Sequence, residues 1–144
     1  PESRTPAQRA VVGYSDALID ELRRADAIVL GLPMYNFGVP SQLKAWFDDV
    51  GRAGVTFKYT EKGPVGLLTG KKVFVLATRG GKYAGTSSDN QTPFVRQFLA
   101  FLGFTDVEFV YAEGLAMGEV PKNQALAAAQ GTIRHLAHRQ RVAA

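Results

Sequence analysis

Residues 27–40 read AIVLGLPMYNFGVP, and this stretch decides the fold. Its first part, Ala27 to Leu32, is a near-continuous run rich in Ile, Val and Leu. Strands covered on both faces have this composition, which is typical of parallel sheets. Lys72 to Thr78 (KVFVLAT) repeats the pattern. Val107 to Tyr111 (VEFVY) alternates more and fits a sheet edge. Helical spacing separates the three. Thr5 predicts an N-cap with Pro6 at the first helical position and Gln8 completing the cap. Val11, Tyr14, Leu18, Leu22 and Ala25 then share one expected inner face. A second helix begins near Pro40 and groups Leu43, Trp46, Phe47 and Val50. A third is expected from a Thr92-Pro93 cap, carrying Phe94, Val95, Phe98, Leu99 and Leu102 until Gly103 stops it. The last runs from about Pro121 with Leu126, Ala129, Ile133 and Leu136 inward. Between Gly51 and Gly70, the alternation of Val55, Phe57 and Tyr59 followed by Glu61-Lys62-Gly63-Pro64 predicts an extended arm or hairpin.

Strands that alternate with helices define an α/β domain with a parallel sheet. With no repeat or linker in view, residues 1–144 read as a single domain. In the doubly wound order 2-1-3-4-5 these strands would be the third, fourth and fifth. Ala27 to Leu32 would then have a bare apolar edge, which soluble proteins avoid. That predicts two further strands ahead of Pro1.

Composition narrows the chemistry. Apolar residues make up 46% and charged residues 21%, a globular mix. No apolar run approaches the roughly 20 residues that span a bilayer. There is no cysteine, so disulfides, zinc–thiolate sites and a cysteine nucleophile are excluded within the chain. This suits a reducing, cytoplasmic compartment. The 17 basic residues are scattered and read as solvated surface rather than a nucleic-acid face. His135 and His138, on the last helix, read as solvated rather than as metal ligands. No catalytic triad or paired carboxylate is visible.

Ligands of open parallel sheets bind beyond the carboxyl ends of strands. Two unusual loops stand there. Pro33 to Pro40 offers Met34, Tyr35 and Phe37 as flat or soft apolar surface and Asn36 as donor and acceptor. Such a loop suits a flavin ring, though plain packing would use the same residues. Thr78 to Tyr83 (TRGGKY) offers a hydroxyl at Thr78, positive charge at Arg79 and close backbone approach at Gly80 and Gly81. A tight turn with an exposed arginine is the plainer reading of that loop.

The resemblance rests on motifs kept in order along nearly the whole chain. PMYNF at 33–37 and QLKAWFD at 42–48 resemble the FMN-dependent NADH-azoreductases. So do RAGVTFKYTEKGPVGLLTGKK at 52–72, TRGG at 78–81, TP at 92–93 and LGFTDVEFVYAEG at 102–114. The resemblance implies a flavodoxin-like fold in which Met34, Tyr35, Asn36 and Phe37 contact the flavin ring. It also implies that Thr78, Arg79, Gly80 and Gly81 hold its other polar edge, with Tyr83 close by. The family usually has serine where Thr78 stands; threonine keeps the hydroxyl. The resemblance further implies a homodimer, in which Phe57 and Tyr59 reach over the partner's flavin and Phe101 lines the substrate pocket. Ordinary core or interface packing is the alternative for Phe57, Tyr59 and Phe101. The family's serine-rich phosphate loop lies after a first strand that is not in this sequence, so these residues alone are expected to bind FMN poorly or not to fold alone.

The activity so implied is ping-pong transfer of hydride from NADH or NADPH through FMN to azo compounds or quinones. Few catalytic side chains are then needed, because the cofactor carries the chemistry. Two other readings are an electron carrier of flavodoxin type and a flavin-free α/β binding module.

Overall fold

The computed structural model describes residues 3–143, with side chains to residue 140. The elements, in chain order, are α1 (Pro6–Arg24), β1 (Ala27–Pro33), α2 (Ser41–Val50), β2 (Phe57–Thr60), β3 (Gly63–Gly66), β4 (Lys72–Thr78), α3 (Gln91–Leu102), β5 (Asp106–Ala112) and α4 (Glu119–Ala143). β1, β4 and β5 form a parallel sheet in the order β1-β4-β5. The register sets Pro33, Thr78 and Ala112 level, so three loops leave the sheet side by side at its carboxyl end.

The main core lies on one face of the sheet. It joins Ile19 and Leu22 of α1, Phe47 and Val50 of α2, and Val95, Leu99 and Leu102 of α3 to Val73, Val75 and Ala77 of β4. Burying each such large side chain contributes about 1.5–3 kcal/mol. A smaller core under α4 joins Ala129 and Leu136 to Val110 and Ala112, with Phe74 and Leu76 against it. β4, in the middle, therefore feeds both layers with alternate residues, as the two-residue period of a strand requires.

β1 departs from the expected pattern. Ile28 and Leu32 are buried, yet Val29 is 63% exposed. α4 packs on β5, and an apolar groove bounded by Val29, Phe74, Leu76, Ile133 and Leu136 runs between that helix and β1. The strand thus has one covered face, and its far edge has no pairing strand among the described residues.

Helix ends follow local chemistry. Thr5 caps α1 reciprocally with Gln8, as expected. The inner face of α1 does not: Ser15, Ile19 and Leu22 are buried, whereas Val11 and Tyr14 are 63% and 59% exposed. The first two turns of α1 project past the helices that bury its later turns. The Thr92-Pro93 cap is also corrected. Thr92 lies inside α3, and the Asp89 carboxylate accepts its N–H at 3.0 Å. On α4, Ala129 and Leu136 turn inward, while Leu126 and Ile133 remain more than a third exposed.

The arm is an antiparallel hairpin of β2 and β3. Phe57 anchors it in the main core, its ring 4.2 Å from that of Phe101. At the other end β3 crosses the C-terminus of α3 with no room to spare. A Cβ built on Gly66 would stand 2.1 Å from the Gly103 nitrogen. Gly103 itself has φ +106, a left-handed cap that glycine adopts freely. Leu68 donates its N–H to the Leu102 carbonyl at 2.9 Å, closing the joint.

Candidate cofactor site

The loop after β1 folds back on itself at once. Tyr35 and Gly38 exchange backbone hydrogen bonds of 3.2 and 2.9 Å. The two residues between them have positive φ, +48 for Asn36 and +64 for Phe37. Asn tolerates this region; a bulky Phe there is a strained residue, and such strain persists only where surrounding contacts enforce it. The result aims the Phe37 ring across the gap to the next loop. It meets Tyr83 edge-on with centroids 5.7 Å apart.

The loop after β4 forms the other wall. Tyr83 lies over the backbone of Gly81, where a Cβ would fall 2.8 Å from the phenol oxygen. A glycine at 81 is thus what lets this ring sit low. Together the loops bound a cleft of about 290 Å³ lined by Met34, Asn36, Phe37, Gly80, Gly81 and Tyr83. These six residues belong to the nine expected at a cofactor. The N–H groups of Asn36, Phe37, Gly80 and Gly81 have no hydrogen-bond partner among the described residues. A flat ring with a polar rim fits such a place: apolar side chains for its face and fixed amides for its edge. No lining residue is cationic.

Three of the nine are placed otherwise. Tyr35 turns outward and is 62% exposed. Thr78 ends β4 level with Pro33, exposed, its hydroxyl unpartnered among the described residues. Arg79 is the clear correction. Neither the charge offered to a flavin nor the exposed arginine of a tight turn describes it, because its side chain is fully buried. The guanidinium makes two bonds to Asp89, at 3.0 and 3.1 Å, and one to Glu113 at 3.2 Å. It also meets the Thr92 hydroxyl at 2.9 Å and Gln91 Oε1 at 3.3 Å, and stacks over Tyr111. One guanidinium faces two carboxylates, so the cluster lends the cleft no net positive charge. Burial alone pushes the Asp89 carboxyl up. The Thr92 N–H and hydroxyl and the Arg79 guanidinium pull harder and hold it below its ordinary value.

This cage was invisible in the sequence. Glu113 Oε1 accepts the N–H groups of Tyr83 and Ala84 at 2.8 and 2.9 Å, which fixes the second loop. Gln91 donates from Nε2 to the carbonyls of Pro33 and Gly38, both at 2.9 Å, which fixes the first. An Asp three residues ahead of Thr92 carries a capping spacing that could have marked Asp89. Through these loop contacts Gln91 and Glu113 act on residues 29 to 58 positions away, beyond any local signal.

Phe57, Tyr59 and Phe101 stand apart from this cleft. Phe101 lies in the last turn of α3, whereas Gln91 at its start touches the loops. Twelve residues at about 1.5 Å each separate the two groups by most of the helix length. Phe57 is buried in the core of its own chain; Tyr59, 73% exposed, is the residue that the arm presents outward.

Fold and cleft together define a flavodoxin-like α/β protein. The chain belongs to the flavodoxin-like fold family, whose profile matches residues 2–136. A relative from Alcanivorax borkumensis named FMN-dependent NADH:quinone oxidoreductase is 62% identical over 130 residues, 90% of this chain and 66% of its own length. One of the same name from Burkholderia thailandensis is 61% identical over 132 residues, 92% of this chain and 67% of its own length. The chain thus spans about two thirds of these relatives. The crystal structure of an FMN-dependent NADH-azoreductase from Bacillus anthracis, in complex with FMN, superposes with a TM-score of 0.86 at 30% identity, covering 94% of this chain and 66% of that one.

Proposed function

We propose that the chain is the flavin-edge portion of an FMN-dependent oxidoreductase that passes electrons from NADH to quinones or azo compounds. The observation that carries this is the cleft in which a methionine, an asparagine, two aromatic residues and two glycines from two loops surround backbone N–H groups without a partner among the described residues. The relatives' names give the donor and acceptors their class. Bound FMN would supply the hydride-accepting and electron-donating chemistry. The chain's own residues then bind and orient. Met34 and Phe37 cover the ring, and the amides of Asn36, Phe37, Gly80 and Gly81 meet its polar rim. Tyr83, held against Phe37, closes the side of the cleft and excludes water.

The finer parts of the reading follow. Thr78, at the strand end beside the cleft, would offer its hydroxyl to the same ring edge. The unpaired edge of β1 is where two further strands would add, giving the order 2-1-3-4-5 and a loop for the phosphate. The protein is a homodimer in the cytoplasm. In it the exposed Tyr59 reaches a partner's cleft, and Phe57 and Phe101 shape the wall behind it.

An absorption spectrum of the full-length protein before and after anaerobic NADH tests the proposal. Flavin bands that bleach on NADH addition, with ping-pong kinetics toward a quinone, are the expected outcome. Flavin that ignores NADH would indicate a carrier, and a protein that takes up no FMN would sink the proposal.

A further inference from the structure

We infer that Gln91 is the positioning residue that holds the two walls of the cleft at flavin spacing. The inference rests on the flavin reading above and deepens it. Gln91 is completely buried at the first turn of α3 and reaches no part of the cleft itself. Its single amide group serves three distant points of the chain. Nε2 has two hydrogens, and both are used: one goes to the Pro33 carbonyl at the loop's entry and one to the Gly38 carbonyl at its exit. Oε1 accepts from Arg79, the residue that opens the second loop. Besides Gln91, the Tyr35–Gly38 pair closes the first loop around two residues with positive φ, and the Met34 N–H ties its entry to the Thr78 carbonyl at 3.0 Å. A strained turn needs its ends fixed, and Gln91 fixes both ends to the same group that touches the other wall.

The position uses both donors and the acceptor of the amide. A carboxylate at 91 would present oxygen to two carbonyls that now accept from Nε2, and an apolar side chain would strip the Pro33 carbonyl of this donor and leave the Gly38 carbonyl with the Tyr35 N–H alone. Positioning groups behind a ligand shell commonly change affinity by about 10–100-fold when removed. The prediction is therefore a change at the flavin rather than in the fold alone.

The test uses the full-length protein and three variants: Gln91→Met, Gln91→Glu and Val95→Ala. Val95 lies one turn further along α3, fully buried in the main core. Measured for each are thermal midpoint without FMN, FMN dissociation constant by flavin fluorescence, and midpoint potential of the bound flavin. Both Gln91 variants should weaken FMN about 10–100-fold and shift the potential. Val95→Ala should lower the thermal midpoint while leaving FMN affinity within about twofold, because it removes packing only. Gln91 variants that lose stability yet keep parent affinity and potential would overturn the inference. So would weakening no greater than that of Val95→Ala. A parent protein that binds no FMN would instead remove the flavin reading, and the inference with it.

Discussion

At the scale of the residue, the Arg79 cage controls the site more than any group that faces the cleft. Asp89 gives it a measurable acid signature. Its side chain is 6% exposed and its folded pKa lies below its ordinary value of 3.8. The unfolded chain therefore takes up this proton first as pH falls. The stability Asp89 contributes is complete above about pH 4 and is lost below that, through its depressed folded pKa. Asp89→Asn should cost about 2–3 kcal/mol at neutral pH, since it removes a charged partner of a buried guanidinium that Glu113 still neutralises. It should also flatten the dependence of stability on pH in the acid range. Urea midpoints of parent and variant between neutral pH and the acid limit of folding would measure both effects. An unchanged acid slope would show that Asp89 does not titrate as described. The sequence exposed the cleft's lining because those residues cluster at two strand ends, where ligand sites of parallel sheets lie. It misled on Arg79 because an arginine between a strand and two glycines carries no sign of partners 10 and 34 residues away.

At the scale of the element, the hairpin of β2 and β3 shows what periodicity can and cannot supply. Alternation over Val55, Phe57 and Tyr59 was enough to predict extended chain. It could not say which residue anchors and which projects, because that depends on where α3 ends. The Gly66–Gly103 approach decides it. Gly66→Ala would drive a methyl into backbone atoms of Leu102 and Gly103, 2.1 to 2.4 Å away, which cannot swing aside as a side chain would. Overpacking of this kind costs about 1–3 kcal/mol. We expect Gly66→Ala to lower the thermal midpoint and to speed amide exchange at Leu68, whose N–H closes the joint. A variant as stable as the parent would mean that the hairpin docks more loosely than this contact implies. α1 carries the same lesson. Its heptad-like spacing was plain, but which stripe is buried depends on α2: Ser15 donates to the Asp49 carbonyl at 2.6 Å, and Arg52 pairs with Asp16.

At the scale of the whole molecule, the order of elements was readable, since alternating apolar runs and capped helices leave few α/β arrangements. Coverage was not. β1 is as apolar as β4, but β4 has neighbours on both sides and β1 has one. The groove beside Val29 should make these 144 residues prone to associate, as unpaired apolar edges are. Val29→Lys, at a position 63% exposed, should reduce light scattering on heating without lowering the thermal midpoint. Equal scattering by the two proteins would place the sticky surface elsewhere. The cage at the other end of the sheet sets a rule for recombination. Its members sit at 79 and 89 in the loop after β4, at 91 on α3 and at 113 after β5, yet all four meet at one buried guanidinium. A chimera that exchanges the loop after β4 with a relative takes Arg79 and Asp89 but leaves Gln91 and Glu113 behind. Breakpoints drawn by loop will therefore fail where those residues differ, and the transplantable unit is the set of four together with both loops they secure.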